Sequence, residues 1–238
     1  MDFALTEEQT AILDMARDFG AEHIAPFARD WEAAGTLPRA LWPKLAELGF
    51  GALYVPDEMG GTGLTRLDGT LVFEGLSMAC PAVAAFLSIH NMCAGMIAKF
   101  GSEAARARWL PGAADMSRIF SYCLTEPGSG SDAAALRTRA DRDGTGWRLN
   151  GTKAFISGGG YSDAYVVMAR TGGDGPKGVS AFVVEAGTPG LSFGAPEKKL
   201  GWNASPTAQV IFDNVRVPVA NRVGNEGDGF KFAMAGLD

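Results

Sequence analysis

The feature that most limits what this chain can become is a change of residue type near position 117. Residues 1–117 contain three valines, Val55, Val72 and Val83, whereas 118–228 contain ten. Valine is stiff at χ1 and suits pleated strands, while Ala and Leu suit helices. The chain therefore reads as α+β. An all-helical N-terminal domain is expected over 1–117 and a small β-barrel or sandwich domain over 118–228. Helical character returns over 229–238.

Within the first part, Thr6 and Gln9 fit a capping box that opens the first helix. Apolar residues follow at Ile12, Leu13, Ala16, Phe19 and on to Phe27 with helical spacing. Pro38 is expected to open a second helix that Gly49 ends. Pro56–Gly63 reads as a tight turn, and two helices are expected over 66–78 and 82–100. Ser102 caps another, which Pro111 and Gly112 should end. Beyond 117 the period drops to two. Strands are expected over 119–124, 136–141, 147–150, 153–157, 164–169, 179–184, 191–194 and 209–217, with hairpin turns at 143–146 and at Asn150-Gly151.

Lys plus Arg is 21 against 27 for Asp plus Glu, a formal charge of −6. No basic excess is present to neutralise phosphates, so nucleic acid is not an expected partner. The three cysteines, Cys80, Cys93 and Cys123, have no paired spacing; buried free thiols are expected rather than a disulfide framework or a metal site. No apolar run approaches the roughly 18 residues of a membrane span. The N-terminus carries no signal- or transit-peptide pattern. A cytoplasmic protein is the expectation, or one of the mitochondrial matrix in a processed eukaryotic form.

The most informative segment is Tyr122-Cys-Leu-Thr-Glu-Pro-Gly-Ser-Gly-Ser-Asp132. Pro127, Gly128 and Gly130 force a turn after a strand, and Thr125, Ser129 and Ser131 add hydroxyls. Such a concave loop can hold a phosphate or the electron-rich edge of a planar ring. The residues alone leave a purely structural loop equally open. Glu126, beside a proline in a turn, reads as an anchor of the loop through backbone N–H groups rather than as a catalytic base. Trp202 reads as a pocket wall or as a core or interface residue. Lys198, Lys199 and Arg216 read as solvated charge.

Cys123-Leu-Thr-Glu-x-x-Ser-Gly-Ser-Asp132 resembles the signature of the acyl-CoA dehydrogenase family. Asn150-Gly-Thr-Lys-Ala-Phe-Ile-Ser-Gly158 is similar to that family's second flavin-contacting segment. Phe182-Val-Val-Glu185 and Val217-Pro-x-x-Asn-Arg-x-Gly-x-Glu-Gly-x-Gly-Phe230 fit at the expected spacing. Gly201-Trp-Asn-x-x-Pro-Thr207 and Val217–Arg222 look most like the short, branched-chain members that act on isobutyryl-CoA.

The resemblance implies FAD as cofactor and oxidation of an acyl-CoA thioester to its 2-enoyl-CoA. Electron-transferring flavoprotein would be the acceptor, and the full-length protein would be a homotetramer. It places Tyr122, Leu124, Thr125, Gly130, Ser131, Phe155, Ile156 and Ser157 against the flavin, with Ser157 near N5. Ser131 and Asp238 would meet the acyl-CoA. Phe155 and Ser157 stand where many relatives have Trp and Thr. The resemblance also implies a third, helical domain that supplies the base, so no catalytic base is assigned here and the chain is expected to be an inactive fragment. A flavin-dependent acyl-CoA oxidase and a non-catalytic flavin- or acyl-CoA-binding fragment are the alternatives.

Overall fold

The computed structural model describes residues 4–237. Helices α1 (Glu7–His23), α2 (Ala28–Ala34), α3 (Leu41–Glu47), α4 (Arg66–Ser77), α5 (Pro81–Phe100) and α6 (Glu103–Ala114) precede a sheet of β1 (Phe120–Cys123), β2 (Arg139–Asp143), β3 (Gly146–Ser157), β4 (Ala164–Arg170), β5 (Val179–Glu185), β6 (Leu191–Phe193), β7 (Thr207–Pro218) and β8 (Arg222–Val223). Helix α7 (Gly229–Leu237) follows. The strands run in the order β6-β7-β3-β2-β4-β5-β8, and β1 adds to β4 in parallel. A helical domain followed by a sheet domain is what the valine distribution implies.

Local chemistry explains most boundaries. Thr6 and Gln9 satisfy each other's backbone N–H at 3.1 Å and open α1. Thr65 and Asp68 do the same for α4. Helices α1 and α4 pack closely because Gly75 presents no side chain. A Cβ there would come within 2.7 Å of the Ala16 methyl.

Several expectations are corrected. The first helix stops at His23, and Ala28–Ala34 forms a separate short helix closed by left-handed Gly35. The helix after Pro38 begins only at Leu41. Pro111 lies inside α6 and does not end it. The turn recloses with the Asp115 N–H donating to the Pro111 carbonyl at 3.1 Å, while Trp109, Leu110 and Ala113 are buried on both sides of the proline. Asn150-Gly151 is no hairpin turn: one strand, β3, runs through it, and Gly151 marks a register irregularity against β7. Strand β2 begins three residues late, after a short 3-10 turn at Ala133–Ala135. The hairpin at Asp143–Gly146 is present. Cys80, Cys93 and Cys123 are free and buried.

Helix α5 is long and apolar enough to cross a bilayer, yet 67% of its most apolar stretch is buried inside the protein. It packs against α4, α6, α7 and β1. Its two polar core residues are spent on neighbouring backbone. Asn91 accepts from the Leu53 N–H at 2.7 Å and donates to the Phe50 and Leu87 carbonyls. His90 Nε2 faces the Gly51 and Ala113 carbonyls at 3.0 Å each, and its Nδ1 accepts from the Phe120 N–H at 3.1 Å. These contacts fix a neutral imidazole that ties α5, α6 and β1 together.

Burial pushes the His90 pKa from 6.5 down to about 4, against the pull of its backbone partners. The unfolded chain therefore takes up this proton first. The stabilisation is complete above pH 6.5 and is lost as pH falls toward about 4, a contribution of about 3 kcal/mol. Thermal unfolding between pH 7 and 4 should show Tm falling in wild type. His90→Gln should start lower at pH 7 and fall less steeply between pH 6.5 and 5. Parallel profiles for the two proteins would refute the assignment.

Candidate functional site

A cavity of about 840 Å³ opens where α4, α5 and α7 face the end of β1, the loop after it and the end of β3. Tyr122, Leu124, Thr125, Gly130, Ser131, Phe155, Ile156 and Ser157 all line it. Two sequence segments more than twenty residues apart are thus brought to one hollow. Asp238 lies outside the described residues.

The loop wall is built by β1 and a tight turn. β1 ends at Cys123, and the chain then turns through a reciprocal backbone pair between Glu126 and Ser129, at 2.9 and 3.1 Å. The Ser129 hydroxyl donates to the Asp132 carbonyl at 2.6 Å. Glu126 anchors the turn: its carboxylate accepts from the Arg137 and Thr138 N–H groups at 2.7 and 2.9 Å. It also accepts from Lys153 Nζ at 2.8 Å. Burial would raise the Glu126 carboxyl, but the Lys153 charge and these hydrogen bonds outweigh it and hold it below the usual range. Burial pulls the Lys153 ammonium down, and Glu126 opposes that pull.

The opposite wall is a bulge. Lys153 pairs with Val210 and Ile156 with Ala208, so β3 carries one residue more than β7 over this step. Phe155 sits in the extra space at φ +57°, a left-handed conformation that costs a bulky residue energy. The residue is 66% exposed, so core packing does not account for it. Behind it, Gly158 at φ +82° leaves no room for a Cβ, which would collide with the Ser121 and Ser162 hydroxyls. The Ser121 hydroxyl donates to the Ser157 carbonyl at 2.5 Å.

The cavity offers hydroxyls, loop backbone and an exposed aromatic face. The Tyr122 hydroxyl is buried without a protein partner, and burial drives its pKa upward. A buried orphan hydroxyl at the cavity wall, free hydroxyl side chains and a strained ring turned to open space suit a large planar polar ligand. Among the described residues no cluster could hold a metal ion. Arg66 is the only cation among the described lining residues, and its guanidinium stacks on Tyr54 at 4.1 Å. Asp132, exposed at the rim, is the only carboxylate among them.

Residues 6–117 match the N-terminal domain of acyl-CoA dehydrogenases, and residues 121–215 match the middle domain. The chain belongs to the acyl-CoA dehydrogenase family. These are FAD-dependent flavoprotein oxidoreductases. Mitochondrial isobutyryl-CoA dehydrogenase of Dictyostelium discoideum is 53% identical over 98% of this chain and 56% of its own length. Butyryl-CoA dehydrogenase of Megasphaera elsdenii superposes with a TM-score of 0.93 at 37% identity, over 100% of this chain and 63% of that one. An FAD complex of PigA superposes at 0.94 with 30% identity, over the same shares. The chain thus spans little more than half the length of the curated relative.

Residues missed at first include Lys153, Tyr54, Met92 and Phe230. Lys153 was detectable: it shares the strand parity of Trp147 and Leu149, which point inward, so a lysine there is forced into the core. Trp202 does not line the cavity. It is 56% exposed and borders a separate depression beside α2. Lys199 is not merely solvated, since its ammonium binds the Trp202 carbonyl and the Thr207 hydroxyl at 2.8 Å each.

Phe155→Gly should relieve the left-handed strain at little packing cost. The expected gain is about 1 kcal/mol of stability, read as a raised Tm. An unchanged or lowered Tm would show that the ring is held by contacts its exposure does not reveal.

Proposed function

We propose that this chain forms two walls of an FAD and acyl-CoA site, and takes part in α,β-dehydrogenation of a short, branched acyl-CoA of the isobutyryl type. The observation that carries the reading is the convergence of Tyr122–Ser131 and Phe155–Ser157 on one cavity, with an exposed aromatic in strained backbone between them. Bound FAD supplies a hydride acceptor.

The chain's own residues supply placement. Leu124 and Thr125 offer backbone and hydroxyl groups to the ring edge. Phe155 would cover a ring face and keep water from it, and the Ser157 hydroxyl would serve the reacting side of the ring. Ser131, exposed at the rim, would meet the thioester ligand, and Asp238 is proposed to contact its CoA portion. Ile89, Met92 and Phe73 provide an apolar lining suited to a short acyl group. Glu126 is committed to Lys153 and two backbone N–H groups, and so does not act as base. The base is proposed to lie in the part of the relatives that this chain does not span. Electron-transferring flavoprotein as acceptor and a tetrameric full-length protein belong to the same proposal.

Two measurements test it. FAD should bind the 238-residue chain weakly but measurably by equilibrium dialysis, and Thr125→Ala should weaken binding by up to about tenfold. In a chimera that joins this chain to the C-terminal part of an isobutyryl-CoA dehydrogenase relative, isobutyryl-CoA should bleach the flavin absorbance. Absence of FAD uptake, or bleaching by no acyl-CoA, would refute the proposal. Hydrogen peroxide formed stoichiometrically with turnover would instead indicate an oxidase.

A further inference from the structure

The Glu126–Lys153 pair is the most buried ion pair among the described residues, with side chains 7% and 0% exposed. Desolvating two charges costs several kcal/mol, and an apolar pair of similar volume is often as stable or more so. Stability alone is therefore a poor reason for placing charge here. What the pair touches suggests a better one.

Lys153 Nζ also donates to the Leu124 carbonyl at 3.0 Å. One residue further on, the Ala154 N–H donates to the Thr125 carbonyl at 2.9 Å. Both carbonyls of the loop wall are thereby turned to β3. In a trans peptide the N–H points opposite to its C=O. The Leu124–Thr125 peptide consequently aims the Thr125 N–H away from Lys153. A full positive charge on its carbonyl polarises that unit and makes the Thr125 N–H a stronger donor.

The same lysine sits at the base of the bulge that throws out Phe155, two residues along β3. One buried charge pair thus connects the loop wall to the aromatic wall. Glu126 completes the connection, since its two backbone bonds to Arg137 and Thr138 reach the segment leading into β2.

We propose that Glu126 and Lys153 are positioning residues for the cofactor: they hold the two walls at a fixed separation and polarise the Leu124–Thr125 peptide, so that the Thr125 N–H favours the reduced, more negatively charged ring. This rests on the flavin reading of the cavity. Neither residue touches the ring itself. Their effect passes through the Thr125 peptide and the register of β3.

The test is a neutral, volume-matched double variant, Glu126→Gln with Lys153→Met, in the 238-residue chain. Glutamine still accepts from a backbone N–H, and methionine fills the lysine stem's space. We expect a circular dichroism spectrum and Tm close to wild type, FAD affinity about tenfold weaker, and a bound-flavin midpoint potential shifted to more negative values. Wild-type affinity and potential in a folded double variant would overturn the positioning role and leave the flavin reading intact. No FAD uptake by the wild-type chain would overturn both. Should the double variant not fold, the wild-type chain decides by NMR. The Thr125 amide proton should move downfield when FAD is added, and an unmoved Thr125 amide beside bound flavin overturns the proposal.

Discussion

Helix α5 imposes the constraint on which the architecture depends. Twenty residues long, it is apolar on most of its circumference and buries residues from Ala82 to Ala98. Such a helix cannot lie on a surface with one face in water. It has to be enclosed, and the enclosing pieces come from both halves of the chain: α4 and α6 from the helical part, β1 and α7 from beyond it. His90 and Asn91 add directional bonds to an otherwise greasy contact, and they fix the loop at 50–53 and the start of β1 relative to the helix. The hollow between the helical domain and the sheet is the space left where this enclosure is incomplete.

Around that hollow the chemistry is divided between rigid support and open presentation. Behind the loop wall charges are internalised and matched, as with Glu126 and Lys153, while the lining is mostly hydroxyls, backbone, apolar groups and an aromatic ring, with Arg66 stacked on Tyr54 and Asp132 at the rim. A polar group that fills such a hollow and displaces its solvent feels the few fixed dipoles strongly, since little water is left to screen them. Energy is stored in the Phe155 backbone and in the buried ions, and it is offset by the surrounding β ladder.

Much of this was legible in the residues, for identifiable reasons. Valine placement separated the helical and sheet halves because χ1 stiffness is a local property. The Thr6–Gln9 cap was readable because both partners lie within one turn. The loop at 122–132 stood out because proline, glycine and hydroxyls coincide there. What stayed hidden depends on partners distant in sequence. Pro111 continues inside α6 because Trp109 and Ala113 are anchored in the core. Asn150-Gly151, a strong hairpin signal taken alone, is overridden by β7, which pairs along nearly the whole of β3. Asn150 instead accepts from the Asn214 N–H across the ladder at 2.8 Å. The role of Lys153 needed Glu126 beside it, twenty-seven positions earlier in the chain.

The extra residue in β3 has a further implication for how this segment can vary. Side-chain direction alternates along a strand, so removing any one position between Lys153 and Ile156 would restore an unbroken ladder against β7. It would also either remove Phe155 itself or, with Ala154 lost, seat the aromatic opposite Gln209 in the regular ladder and away from its left-handed position at the cavity. Substitutions that keep an aromatic and a hydroxyl are tolerable by comparison. Along this stretch the number of residues is held more tightly than their identity, and a single-codon deletion would do more harm than several conservative replacements.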